Sequence, residues 1–172
     1  MERPIEVLVG ELLRRRGLRI AVAESCTGGL IGHLLTNVPG SSTYFVGGCQ
    51  VYAYEAKVRL LDVSWDTLER YGAVSKEVAI EMAHNVRQVL ATDIGLSATG
   101  IAGPGGGMPQ KPVGYVCIGL STPDGDQAWS YNWDGDRLAN KQRTAEQALR
   151  LVVEYLQGKE LPDPSSDSSE TA

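Results

Sequence analysis

The sequence predicts an α/β fold, a three-layer α/β/α sandwich around a mixed β-sheet. Three observations predict it. Segments with a helical apolar period alternate with short strand-like runs along most of the chain. Two later strand-like runs flank the turn Pro123-Asp124-Gly125, which adds an antiparallel hairpin to that alternation. The 172 residues, 42% hydrophobic and 22% charged, supply one sizeable core.

The elements follow in order. Pro4 suits the first turn of a helix, and Ile5, Leu8, Val9, Leu12 and Leu13 then mark one apolar face. Arg14, Arg15 and Arg16 crowd its negative end and read as a solvated last turn, with a phosphate patch as the rival; Gly17 is the stop. Residues 18–23 form a short buried strand. Glu24 to Gly29 make a turn, and Leu30, Ile31, Leu34 and Leu35 carry a second helix, broken at Asn37-Val38-Pro39-Gly40. Residues 44–53 are β-rich around a Gly-Gly pair. Helices at Glu55–Leu61 and Trp65–Tyr71 come next. Ser75 caps a further helix with Val78, Met82, Val86 and Val89 on one stripe. Asp93–Ala98, Val113–Leu120 and Gln127–Trp133 are strands, and a last helix runs from about Asp136 to Gln157. The folded domain is residues 1–157; residues 158–172 are expected to be a disordered acidic tail.

Composition excludes several classes of function. Sixteen basic and 21 acidic residues give a net charge of −5, which disfavours nucleic acid as a partner. The single Phe disfavours aromatic stacking of single strands. No run approaches the roughly 18 apolar residues of a membrane span, and Met1-Glu-Arg-Pro lacks a signal peptide's apolar region, so the expected location is cytoplasmic. Cys26, Cys49 and Cys117 are too few and too scattered for a disulfide framework or a zinc site. With His33 and His84 both in helix-like stretches, hydrolytic chemistry here is expected to run without a histidine base.

Four segments could carry chemistry. Ser25 follows a buried strand and precedes a helix whose first N–H groups could hold a phosphate or an oxyanion, so it is either a nucleophile or a plain helix cap. In Tyr52-Ala53-Tyr54-Glu55-Ala56-Lys57, Lys57 lies near the positive end of a helix. That position and any burial lower a lysine's pKa, as a serine–lysine mechanism requires; the alternative is a solvated lysine beside a core Tyr52. The run Thr99 to Gly107 follows a strand's C-terminal end, where open α/β sheets bind ligands. It is neither a Walker loop nor G-x-G-x-x-G, and a purely structural loop is its alternative. Arg137 opens the last helix and could clamp a phosphate or pair with Asp134 or Asp136.

Together these stretches resemble the C-terminal domain of CinA, the competence/damage-inducible family, including its stand-alone nicotinamide-nucleotide amidase form (PncC). The resemblance rests on Ala23 to Gly29, Val38-Pro39-Gly40-Ser41-Ser42 with Gly47-Gly48, Tyr52 to Lys57, and Thr99 to Gly107 with Lys111-Pro112-Val113-Gly114, across about residues 5–157. It implies a deamidase that converts nicotinamide mononucleotide into nicotinate mononucleotide and ammonia, with no metal or organic cofactor. By this resemblance Ser25 is the nucleophile, Lys57 its base and Tyr52 a partner in proton transfer. Thr27, Gly28, Gly29, Thr99, Gly100, Gly103, Gly105 and Arg137 are implied substrate contacts, Arg137 at the phosphate. Larger relatives add an N-terminal domain resembling molybdopterin-binding proteins, and its pyrophosphatase activity is not expected here. The chain departs from the family's Tyr-Ser/Thr-Asn-x-x-Lys at Ala53 and Tyr54, so the helix before Lys57 is expected to start differently and to seat Lys57 less well. An inactive nucleotide-binding paralogue, an amidase for another amide and an interaction subunit are the alternative functions. Homo-oligomerisation is left open.

Overall fold

The computed structural model describes residues 3–166. Among the described residues, six helices and five strands form in the order α1 (Ile5–Arg16), β1 (Ile20–Glu24), α2 (Leu30–Thr36), β2 (Phe45–Gln50), α3 (Tyr54–Leu61), α4 (Trp65–Tyr71), α5 (Lys76–Val89), β3 (Ile94–Gly100), β4 (Tyr115–Thr122), β5 (Gly125–Asn132) and α6 (Arg137–Leu156), with a 3₁₀ turn at Ser41–Thr43. The sheet order is β2-β1-β3-β4-β5. β1 pairs in parallel with β2 and β3, and β4 is antiparallel to both β3 and β5, so the sheet is mixed.

Strand alternation divides the core into two layers. Ile20 and Val22 of β1 face α1, α2 and α6, whereas Ala21 and Ala23 face α3, α4 and α5. All five residues of β1 are buried, as expected of a central strand covered on both faces. The small side chains on the second face let α5 approach closely. A Cβ at Gly95 of β3 would overlap the Ala83 carbonyl of α5, and one at Gly119 of β4 would overlap that of Ala79. Ser75 caps α5 as expected, its hydroxyl accepting the Val78 N–H. Val89 is a correction: it is 60% exposed, because the core stripe ends one turn earlier at Val86.

The arginine run is engaged with the fold. Arg14 donates to the Pro39 carbonyl and lies over the Tyr44 ring, while Arg16 donates to the Leu156 carbonyl and lies over Tyr155.

The expectation of a disordered tail from residue 158 needs correction for residues 158–166; residues 167–172 lie outside the described residues. Leu161 packs against the α1/α2/α6 layer, the Trp129 indole donates to the Pro162 carbonyl at 2.8 Å, and Lys76 of α5 donates to the Pro164 carbonyl. The segment therefore crosses from one layer to the other over the outer edge of β5, an edge that would otherwise be open to pairing. Truncation after Gln157 is expected to lower stability by about 2 kcal/mol, through the lost indole–Pro162 hydrogen bond and the lost Leu161 packing. Urea unfolding of the truncated and full chains checks this, and equal midpoints would contradict it.

Candidate active site

Both parallel ladders continue past the end of β1 and fix the chain there. The Ser25 N–H donates to Ala98 of β3 at 2.9 Å, and the Val51 N–H beyond β2 donates to Glu24 at 2.8 Å. Ser25 thus leaves the sheet at its carboxyl edge, with its side chain on the α3/α5 face by continuation of the alternation of Ala21 and Ala23.

Lys57 enters from that side, in the first turn of α3. It is 1% exposed, and its Nζ lies 3.1 Å from Ser25 Oγ, 2.7 Å from the Val51 carbonyl and 3.2 Å from the Tyr52 carbonyl. Burial lowers its pKa from 10.5 to about 8. A neutral lysine has two N–H donors and one lone pair. The two carbonyls take the donors, which leaves the lone pair for the Ser25 hydroxyl.

The Tyr54 departure does not unseat this lysine. α3 begins at Tyr54, whose hydroxyl accepts the Ala73 N–H at 3.2 Å and whose ring lies beside Trp65. Lys57 is held instead by the two carbonyls at its tip and by the Val63 N–H bonded to its own carbonyl.

The residue before Ser25, at the end of β1, is one that sequence reasoning missed. Glu24 is 2% exposed, and its carboxylate accepts from the Thr27 hydroxyl at 2.6 Å, the Ile31 N–H at 2.9 Å and the Gly32 N–H at 3.1 Å. The positive start of α2, expected to be free for an anion, is therefore occupied by the chain's own carboxylate. The Leu30 and His33 N–H groups are also used, on Thr27 and Gly29 carbonyls. Within the turn, the Ser25 and Gly28 N–H groups bond to carbonyls; those of Cys26, Thr27 and Gly29 bond to no backbone carbonyl among the described residues. A helix preceded closely by a glutamate was the only signal available for Glu24. Ser25 is not the cap of α2, a position held by Gly29 at φ 101°, where a Cβ would overlap the Gln50 amide.

Cys26 is not a competing nucleophile. Burial, reinforced by the Glu24 carboxylate, pushes its thiol up to about 12, so it stays protonated near neutral pH. His33 is exposed and near Asn37, and His84 pairs with Asp126 at 2.8 Å on the β4–β5 hairpin. No hydrogen bond joins either histidine to Ser25 or Lys57 among the described residues.

The other predicted residues divide. Thr99 is the penultimate residue of β3, beside Ser25, but its buried hydroxyl donates to the Ala73 carbonyl at 2.8 Å, and Thr27's is spent on Glu24. Gly100 packs so closely that a Cβ would overlap Val116 and press on Cys26 Sγ. Gly28 lies under the Lys141 ammonium, and Gly105 faces open space. Gly103 precedes a cis peptide bond to Pro104, and its carbonyl accepts from Arg137 at 2.7 Å. The same guanidinium donates to the Tyr52 hydroxyl at 3.1 Å. Tyr52 therefore gives its carbonyl to Lys57 and its hydroxyl to Arg137, and that hydroxyl makes no hydrogen bond to the Ser25–Lys57 pair. Arg137 does not form the ion pair considered from sequence: Asp134 pairs with Arg143 at 2.6 Å, and Asp136 caps α6. No group of three His, Cys, Asp or Glu residues able to hold a metal occurs among the described residues, nor any helix long and apolar enough to cross a membrane.

Most of the chain matches known proteins. The CinA C-terminal domain model matches residues 2–156. The chain belongs to the CinA C-terminal domain family. It is 52% identical over 158 residues to a CinA-like protein of Chloroherpeton thalassium and 50% identical over 161 residues to one of Chlorobaculum tepidum. Those alignments cover 89% and 91% of this chain but 37% and 38% of the relatives, so the chain spans little more than a third of their length. A CinA superfamily protein of Klebsiella pneumoniae superposes with a TM-score of 0.87 at 28% identity, covering 90% of this chain and 96% of that one. The competence/damage inducible protein CihA of Agrobacterium tumefaciens gives 0.82 at 34% identity, covering 91% and 98%. The five-stranded mixed sheet flanked by helices is thus the CinA superfamily architecture.

The buried lysine makes stability depend on pH. Its folded pKa is below its unfolded one, so between pH 8 and 10.5 the unfolded chain binds the extra proton and stability rises with pH. Relative to Lys57→Met, the wild-type chain is expected to gain about 2 kcal/mol from about pH 7 to about pH 9.5 in urea unfolding. A constant difference would mean that Lys57 titrates normally.

Proposed function

We propose that this chain hydrolyses the carboxamide of nicotinamide mononucleotide to nicotinate mononucleotide and ammonia. The observation that carries the reading is the 3.1 Å approach of a buried, pKa-lowered Lys57 to Ser25. Neutral Lys57 accepts the Ser25 proton as Oγ attacks the carboxamide carbon, giving a tetrahedral oxyanion. The N–H groups of Cys26, Thr27 and Gly29 are the donors on offer for that oxyanion. Lys57 returns the proton to the departing nitrogen, ammonia leaves, and the acyl group remains on Ser25. A water molecule then attacks the ester with Lys57 again as base, releasing the acid and restoring the serine. The Val51 and Tyr52 carbonyls hold the lysine in place through both transfers, since they accept from it in either protonation state.

For the nucleotide's phosphate the chain offers Arg137, with only part of its five-donor fork committed, and Lys141 one turn along α6. The Tyr52 hydroxyl is assigned to orienting Arg137 and not to moving a proton.

Ammonia release from nicotinamide mononucleotide tests the reading. Ser25→Ala and Lys57→Ala are each expected to lower kcat by at least about 10³-fold. In the wild type, kcat/KM should climb about tenfold from about pH 6 to about pH 7 and level off above the Lys57 pKa of about 8. Undiminished turnover in either variant would remove that residue from the mechanism. Nucleotide binding with no ammonia would identify the inactive-paralogue function.

A further inference from the structure

The glycine loop and the start of α6 meet at a buried side chain that the mechanism above does not use. Asn140 is 1% exposed, in the first turn of α6, and three bonds occupy its amide. Its Oδ1 accepts the Gly135 N–H at 3.0 Å, and its Nδ2 donates to the Gly135 carbonyl at 2.9 Å and to the Ala102 carbonyl at 3.1 Å. The fit is close, since a Cβ at Gly135 would stand 3.0 Å from Asn140 Oδ1. Behind it, the Asn140 carbonyl accepts the Thr144 hydroxyl, which in turn accepts the Trp133 indole N–H at 3.0 Å. All three residues are buried. On the loop side, Ile101 and Gly114 are bonded across the base of the loop. Asn140 thus joins one carbonyl of the glycine loop to both backbone groups of the segment that launches α6.

The neighbouring carbonyl is the one that matters. Ala102 is followed by Gly103, whose oxygen holds Arg137 at 2.7 Å, and Arg137 lies three residues before Asn140 on the same helix. We propose that Asn140 is a positioning residue for the phosphate end of the substrate: by fixing Ala102 against Gly135 it sets the distance between the Gly103 carbonyl and Arg137, and so the direction of the guanidinium. This rests on the amidase reading only through the ligand, a nucleotide bearing a phosphate monoester.

The chemistry of the amide explains why a close isostere would fail. Asn140→Asp keeps the shape and the acceptor for the Gly135 N–H. It loses both donors and sets a carboxylate against the Ala102 and Gly135 carbonyls, so the loop stem must move away from α6. Asn140→Ser removes the same bonds without burying a charge, and serves if the aspartate variant does not fold.

The experiment measures nicotinamide mononucleotide affinity by calorimetry in a Ser25→Ala background, with and without the Asn140 change, and kcat and KM in the active chain. The expected result is a Kd and a KM raised about tenfold with kcat within about twofold. Arg137→Gln should raise Kd similarly, and combining it with the Asn140 change should add little further, because both act through one guanidinium. An unchanged Kd, a loss confined to kcat, or full additivity with Arg137→Gln would overturn the Asn140 inference alone. Binding without turnover in the wild type would overturn the amidase reading and leave the Asn140 inference standing on the Kd values. No binding to Ser25→Ala would overturn both.

Discussion

A lysine amine placed almost wholly out of water is the feature on which the rest of this site depends. Burying an ammonium is unfavourable, and the fold limits the penalty by offering Nζ two backbone carbonyls and one hydroxyl. The proton can leave Lys57 without any heavy atom moving, because the carbonyl bonds persist in both charge states. That is the preorganisation a base near neutral pH needs, and it comes mainly from backbone geometry. The carbonyls belong to Val51 and Tyr52, between β2 and α3, and the hydroxyl belongs to the residue after β1. Parallel pairing of β1 and β2 therefore sets the distance between nucleophile and base, which are 32 residues apart in sequence.

Charge is arranged around that pair with the same economy. Glu24 satisfies the start of α2 and adds a negative charge beside Cys26, helping to keep the thiol protonated and inert. The helix dipole is consequently spent on fold stability, and the task of binding an oxyanion passes to the turn's remaining N–H groups. The cations at the other end of the site come from one face of α6, and Tyr52 links the two ends, with its carbonyl on Lys57 and its hydroxyl on Arg137.

Much of this was legible in the sequence, for identifiable reasons. Helices α1, α2 and most of α5 follow from apolar faces, β1 from a short apolar run, and Ser25 and Lys57 from their places at a strand end and a helix start. Glu24 and Asn140 were not legible, because a buried polar residue is defined by partners distant in sequence or supplied by backbone: Asn140 meets Ala102 from 38 residues away. The docking of residues 158–166 was hidden by a composition rich in Pro, Ser and Asp, which says nothing about a single indole seeking a carbonyl. Val89 was misplaced because periodicity marks a stripe but not where the neighbouring strand ends. The proton-transfer role of Tyr52 comes from the resemblance alone; no sequence pattern shows that its backbone carbonyl reaches Lys57 while its hydroxyl reaches Arg137.

The central claim is that Lys57 loses its proton near neutral pH because the fold buries it beside Ser25. Its most direct measurement is a carbon-13 NMR titration of lysine Cε in labelled full-length protein, with the Lys57 signal assigned by its absence in Lys57→Met. The account predicts a midpoint near 8 for that one signal. A midpoint at the ordinary lysine value of 10.5 would contradict it.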